Sequence, residues 1–245
     1  MWHFQRIDPL ESILDSKYIT FVGSGGKTTF MEYIAKEATG RGKSVAITTT
    51  TKIYAREPYV LLEEDVFKEG LRERFIRVGK TLEKGKLTGV TFSDIDKLGR
   101  IYDMVLIEAD GAKGKPLKFP AHYEPVIPPL SEKTFVLCGL DGLSGRVDEK
   151  VFRWEPFSEA TRIRGDAIIT PDVFLRFFSD DILLKGIDRE KCTIVFNKYD
   201  VSGIGKKTVM EMAKDVILRV GPVTVIVSSL LFKCFYLVKE TDGSP

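Results

Sequence analysis

Gly23-Ser24-Gly25-Gly26-Lys27-Thr28-Thr29 is the stretch from which the fold of this chain can be read. It follows the apolar run Tyr18-Ile19-Thr20-Phe21-Val22 and opens a segment where Phe30, Met31, Ile34, Ala35 and Ala38 recur at helical spacing. Strand, glycine loop and helix in that order are the setting of a phosphate-binding loop. Glycines let backbone N–H groups curl around an anion without a Cβ clash, and the helix adds its positive end. Lys27 supplies a point charge for phosphates, and the Thr28 hydroxyl is placed to reach Mg2+. The usual spacing, G-x-x-x-x-G-K-[ST], asks for glycine at position 21, where Phe21 stands; what remains is the shorter G-x-x-G-K-T-T. Gly23, Ser24, Gly25, Gly26, Lys27, Thr28 and Thr29 are therefore the expected nucleotide contacts.

Outward from the loop, apolar runs alternate with helical patterns. Ser44–Thr48, Met104–Ile107, Thr134–Leu140, Thr193–Phe196 and Pro222–Val227 read as strands, and 27–39 and 205–220 as helices. This predicts an α/β fold with a mostly parallel sheet flanked by helices, P-loop NTPase-like, in one domain spanning 1–245. Residues 53–100 are less regular and read as a small β-containing insertion. Tyr59–Leu62 and Phe75–Val78 are its short strands, with a hairpin through Glu83-Lys84-Gly85-Lys86. Ser93-Asp94-Ile95-Asp96 resembles the capping box of a short helix. The stretch from Pro116 to Pro129 reads as a rigid loop, and Ala167–Ile169 as a short strand. The apolar tail from Leu230 to Val238 is left to finish the core or to form a homodimer contact.

In parallel sheets ligands sit beyond the carboxyl ends of the strands. Several polar clusters fall there. Glu108 and Asp110 end one strand and can orient a water or hold a metal's water shell, so both join Lys27 as catalytic candidates. The tract Thr48-Thr49-Thr50-Thr51-Lys52 offers hydroxyls; Thr50, with Thr28 and Asp110, completes the expected Mg2+ set. Asn197-Lys198-Tyr199-Asp200 resembles the guanine-reading N-K-x-D motif of GTPases, so Asn197, Lys198 and Asp200 are expected at the base, with GTP favoured over ATP. Ser228-Ser229-Leu230 ends the next strand, where GTPases carry a further base-contacting loop.

Bulk composition narrows the classes. With 37 Lys+Arg against 35 Asp+Glu, no global field points to nucleic acid or membrane. No apolar run approaches the ~20 residues of a membrane span, and the start of the chain does not read as a signal peptide. A cytoplasmic protein is expected. Gln5 and Asn197 are the only side-chain amides, which with abundant Lys and Glu points to a thermophile. Cys138, Cys192 and Cys234 lie far apart in apolar surroundings and read as buried hydrophobes. With only two histidines, His3 and His122, no zinc-like cluster forms by spacing.

Taken with GSGGKTT and TTTTK, the long stretch EADGAKGKPLKFPAHYEPVIP and the following CGLDG resemble the selenium-dependent hydroxylase accessory protein family (YqeC-like), best over residues 18–145. The resemblance implies a nucleotide-binding P-loop protein assisting maturation of the cofactor of selenium-dependent molybdenum hydroxylases, with such an enzyme or its maturation factors as protein partner. It also implies that Lys113, Lys115, Lys118, His122 and Glu124 face an anionic second ligand or partner. Direct selenium transfer would require an activated cysteine, so the chain is expected to couple nucleotide hydrolysis to delivery by another protein. A small-molecule kinase and a nucleotide-sensing switch with little hydrolysis are the rival readings. A cell-wall ligase needs further domains, for which 245 residues leave little room.

Overall fold

The computed structural model describes residues 1–62 and 73–241. Residues 63–72, inside the stretch read as an insertion, lie outside that description. The strands are β1 (Trp2–Arg6), β2 (Tyr18–Gly23), β3 (Val45–Thr49), β4 (Lys52–Tyr54), β5 (Tyr59–Leu61), β6 (Phe75–Gly79), β7 (Leu82–Glu83) and β8 (Lys86–Thr88), then β9 (Met104–Glu108), β10 (Leu117–Lys118), β11 (Lys133–Gly139), β12 (Val151–Phe152), β13 (Cys192–Asn197), β14 (Thr224–Ser229) and β15 (Cys234–Glu240). The helices are α1 (Lys27–Gly40), α2 (Phe92–Ile101), α3 (Val147–Lys150), α4 (Trp154–Thr161), α5 (Pro171–Leu175) and α6 (Lys206–Val220).

One ten-stranded sheet runs β1-β15-β14-β13-β11-β2-β9-β3-β6-β5. From β14 to β5 neighbouring strands are parallel; β15 runs antiparallel to both β14 and β1. The fold is thus α/β with a large, mostly parallel central sheet flanked by helices. Parallel strands are covered on both faces, which is why β2, β3 and β9 are buried along their whole length.

Alternation along each strand assigns the two faces. Ile19 and Phe21 of β2, Phe135 and Leu137 of β11 and Leu106 of β9 pack with Phe30, Met31 and Ile34 of α1. Phe21 and Phe135 stack at 5.3 Å. An enclosed phenylalanine such as Phe30 is worth about 3–5 kcal/mol over alanine. The alternate residues, Val22, Val136, Cys138, Ile194 and Phe196, meet Val209, Met212 and Ala213 of α6 and Phe157 and Phe174 of α4 and α5. Farther along that face, Ala46, Val105 and Ile107 receive Ile95 and Leu98 of α2.

Several local expectations change. Of the stretch 53–100, β5 and β6 extend the main sheet, while β4, β8 and β7 form a separate three-stranded sheet beside it. The cap of α2 is Thr91 rather than Ser93. The Thr91 hydroxyl accepts from the Asp94 N–H at 3.2 Å, and the Asp94 carboxylate accepts from the Thr91 N–H at 3.1 Å, a reciprocal box set two residues earlier than read. Ala167–Ile169 is not a strand; it contributes one isolated bridge, Ile168 to Arg146. The apolar tail completes the sheet through β15, with Phe235 and Val238 buried. Cys138 and Cys192 are buried, but Cys234 is only half-buried, because it sits at the start of the antiparallel return. Among the described residues no helix is long and apolar enough to cross a membrane.

Candidate functional site

The glycine loop leaves β2 at the middle of the sheet. Its first half is bolted down. The Gly23 N–H donates to Asp110 Oδ2 at 2.9 Å, the Ser24 N–H to the Leu137 carbonyl at 2.9 Å and the Gly25 N–H to the Lys115 carbonyl at 3.1 Å. The Ser24 hydroxyl donates to the Pro116 carbonyl at 2.9 Å, so this side chain turns inward rather than toward a ligand. Gly25 must be glycine: φ is +73°, and an added Cβ would lie 2.2 Å from the Gly139 nitrogen. Gly26, at φ +113°, is the N-cap of α1, and no side chain caps that helix. Its first turn holds no acidic residue. The amides of that turn and the helix dipole are therefore open to an external anion, and the free amides lie in the second half of the loop rather than along its whole length.

Lys27 and Thr28 stand in that turn and meet the end of β9. Thr28 donates its hydroxyl to Glu108 Oε2 at 2.9 Å. Lys27 Nζ donates to the Gly23 carbonyl at 2.5 Å and lies 3.0 Å from Asp110 Oδ1, as a close ion pair rather than an aligned hydrogen bond. Burial would push the Lys27 ammonium down, but the Asp110 and Glu108 carboxylates outweigh it and hold it above its ordinary value. Glu108 is raised as well, but there burial is what wins, only partly opposed by Lys27 and by the Thr28 hydroxyl.

A cavity of about 670 Å³ opens over Gly25–Thr29. Glu108 and Thr50 line it; Asp110 lies behind it, 2% exposed. The two acidic candidates thus part. Glu108 faces the cavity, whereas Asp110 is held by Gly23, Lys27 and Lys118, whose Nζ is 3.0 Å from Oδ2. Thr50 faces the cavity, but its hydroxyl donates to the Val126 carbonyl at 2.8 Å. Thr48 and Thr49 use theirs on the Val78 and Glu108 carbonyls.

Asn197 reaches the loop from β13. Its Nδ2 donates to the Gly25 carbonyl at 2.9 Å while Oδ1 accepts from the Ser228 hydroxyl at 2.9 Å. Lys198, in a left-handed conformation, pairs with Asp141 at 2.8 Å. Asp200 lies in the short turn Tyr199–Val201, half-buried and outside the cavity. The N-K-x-D cluster therefore flanks the loop on the side opposite β9 and β3.

The central proline-rich segment differs most from expectation. Lys118 does not face a ligand. It is 1% exposed and donates to Asp110, to the Gly111 carbonyl and to Glu124 at 2.8–3.0 Å. His122 is exposed, set edge-on to Tyr123. Arg153, unassigned from sequence, donates to Glu124 Oε2 at 2.6 Å and lines the cavity with Phe152. An alternating chain of charge thus runs Lys27, Asp110, Lys118, Glu124, Arg153 from the loop to the cavity wall.

Glu124 gives this chain a measurable signature. Burial alone would raise its carboxyl, but hydrogen bonds from Arg153 and Lys118 lower it to about 2. The folded value lies below the unfolded one, so the contribution to stability is complete above pH 4.5 and disappears as pH falls toward 2. Denaturant titrations between pH 5 and 2 are expected to lose about 2 kcal/mol on this account, and Glu124→Gln should flatten that limb. An acid limb of equal depth in Glu124→Gln would show that the carboxylate is not held this way.

Among the described residues no group of three His, Cys, Asp or Glu side chains could hold a metal by itself. A family model described as YqeC protein matches residues 19–155. The uncharacterized protein YqeC of Escherichia coli (strain K12) is 31% identical over 182 residues, covering 66% of this chain and 70% of that protein. No solved structure matches the chain. The matched region contains the glycine loop, the threonine tract, both acidic residues and the buried charge chain, and on this match the chain belongs to the YqeC protein family.

Proposed function

We propose that this chain binds a nucleoside triphosphate with Mg2+ at Gly26–Thr29, hydrolyses it as a P-loop NTPase-like protein, and serves as an accessory factor in maturing selenium-dependent molybdenum hydroxylases. The observation that carries the nucleotide reading is the first turn of α1: uncapped amides, with Lys27 and a Thr28 hydroxyl set 2.9 Å from Glu108. A hydroxyl next to a carboxylate is the donor set that suits a Mg2+ held largely by phosphate oxygens and water. Thr28 and Glu108 would hold that ion, and it would screen charge on the phosphates. Lys27 and the amides of the turn bind the phosphates. Glu108, which faces the cavity beside the Thr28 hydroxyl, stands where it can orient a water for attack. Asn197 braces the loop, and Asp200 supplies the carboxylate that would select guanine.

Family membership supports the accessory theme of this reading. The thiols agree with a chain that does not carry selenium itself. Burial raises Cys192 to about 12 and Cys138 well above its ordinary value, and the Cys234 thiol donates to the Phe232 carbonyl. A second reading, phosphoryl transfer to a small molecule, is favoured by the cavity extending past the loop on the Glu108 side.

Labelled GTP and ATP, each with Mg2+, separate these readings. Glu108→Gln is expected to keep nucleotide affinity and lower turnover about 100-fold. Asp200→Ala is expected to erase a GTP preference of at least about tenfold. Turnover unchanged in Glu108→Gln would remove that residue from the chemistry. Label moving from the nucleotide to an added organic molecule rather than to water would establish the kinase reading instead.

A further inference from the structure

Only one end of the cavity is a phosphate cradle. Its remaining walls come from two places that the fold brings together. One is the small side sheet, which contributes Lys52 and Tyr54 from β4 and Lys86 from β8, with Arg56 just beyond. The other is the central segment and its neighbour, contributing Lys113, Tyr123, Phe152 and Arg153. Counted over the whole lining, seven cationic side chains face two carboxylates, Glu108 and Glu124. Three of those cations are already matched by carboxylates outside the lining: Lys27 by Asp110, Lys52 by Glu83 and Arg56 by Glu32. Several of these cations are arranged against rings. Lys86 Nζ lies 4.5 Å from the Tyr54 centroid, Lys113 Nζ 5.3 Å and the Arg153 guanidinium 4.6 Å from the Phe152 centroid. Among the described residues neither Lys86 nor Lys113 makes an ion pair. Tyr54 and Tyr123 are each 59% exposed, large apolar faces at the rim with little protein packed over them.

We propose that this half of the cavity binds a second small molecule, a phosphorylated compound carrying a flat ring. Its phosphate meets the Arg153, Lys113 and Lys86 cations, and its ring lies against Tyr54, Tyr123 or Phe152. The volume suits a small molecule rather than a folded partner. The Lys86 and Lys113 ammoniums, which no carboxylate pairs among the described residues, select an anion, and Arg153 keeps donors beyond the one given to Glu124 in the planar fork that phosphate matches. The position adds to the argument. The N-K-x-D cluster flanks the loop on the β13 side, whereas this pocket lies on the β9 and β3 side, so a nucleotide and the second ligand occupy different flanks. The proposal rests on the nucleotide reading for what fills the loop, yet the two fail separately.

The test uses the full chain and flavin mononucleotide as probe, followed by quenching of its fluorescence. Riboflavin supplies the ring without phosphate, and pyrophosphate the anion without a ring. Flavin mononucleotide is expected to bind at least about tenfold more tightly than either. Lys113→Ala and Lys86→Ala, on opposite walls, should each weaken it about tenfold without changing GTP or ATP affinity. Lys86→Ala keeps the backbone pairing of β8, so its melting temperature checks that a loss is not unfolding. Lys27→Ala should bind the probe as the native chain does, and saturating nucleotide should not displace it. The proposal is overturned if neither flavin mononucleotide nor pyridoxine 5′-phosphate binds, if neither wall variant matters, or if nucleotide competes with the probe one for one. In that last case the cavity is a single nucleotide site and the nucleotide reading stands alone.

Discussion

Lys27→Ala is expected to weaken GTP and ATP binding about 100-fold while leaving the chain folded. The ammonium stands on the first turn of α1 beside amides that no side chain caps, and a charge-assisted contact to phosphate is worth about 1.5–3 kcal/mol. In this structure it rests on the Gly23 carbonyl and Asp110, so it must leave a partner to reach a phosphate. That partner is not abandoned, because Asp110 keeps Lys118 and the Gly23 N–H. Thermal shift reads both halves of the expectation. Nucleotide at about 100 times its Kd should stabilise the native chain by about 2.7 kcal/mol, several degrees in melting temperature. Lys27→Ala should melt close to the unliganded native chain and show no such shift. Undiminished affinity in a folded Lys27→Ala would place the phosphates elsewhere.

The parts legible in the sequence were those set by local physics. β2, β9 and β11 read correctly because strands buried on both faces must be continuously apolar. The order of strand, glycine loop and helix was legible because the glycines and the helix start are set within a few residues. What escaped depends on distant pairing. Trp2–Arg6 has no strong strand pattern of its own and becomes β1 by pairing with β15, at the far end of the sequence. Nothing local told β5 and β6, which join the main sheet, from β4 and β8, which do not. Thr91 and Ser93 both offer a hydroxyl to the start of α2; only the backbone decides that Thr91 is the cap.

The site divides in the same way. Glu108 and Asp110 both end β9, and spacing placed both at the loop, but it could not show that one faces the cavity and the other an interior lysine. Lys52, Lys86 and Arg153 meet across a space that no sequence window contains. Arg153 carried no signal at all: it is a single arginine at φ +60°, next to a two-residue strand. Lys118 misled for the opposite reason. A lysine in a loop rich in lysines looks solvated, and only burial shows it at the centre of an ion cluster.

That cluster gives the largest expected effect on stability. Lys118→Met should cost about 3–5 kcal/mol, a drop of roughly 10 °C in melting temperature, because it strips the shared cation from two enclosed carboxylates and a carbonyl. Methionine fills the volume, so the loss measures charge rather than a cavity. The effect should not stay local. Asp110, left with Lys27 as its nearest cation, holds that ammonium more strongly, so nucleotide affinity should fall although Lys118 touches no ligand. Neutralising the other carboxylate separates the contributions. Glu124→Gln added to Lys118→Met removes a buried carboxylate left with Arg153 alone and should recover about 1–2 kcal/mol, a coupling that a double-mutant cycle reads directly. It should not restore nucleotide affinity, because Asp110 remains charged. If Lys118→Met unfolds within about 1 kcal/mol of the native chain, the cluster contributes packing rather than charge balance. If stability falls while nucleotide affinity holds, the chain of charge from Arg153 to Lys27 stabilises the fold without setting the loop.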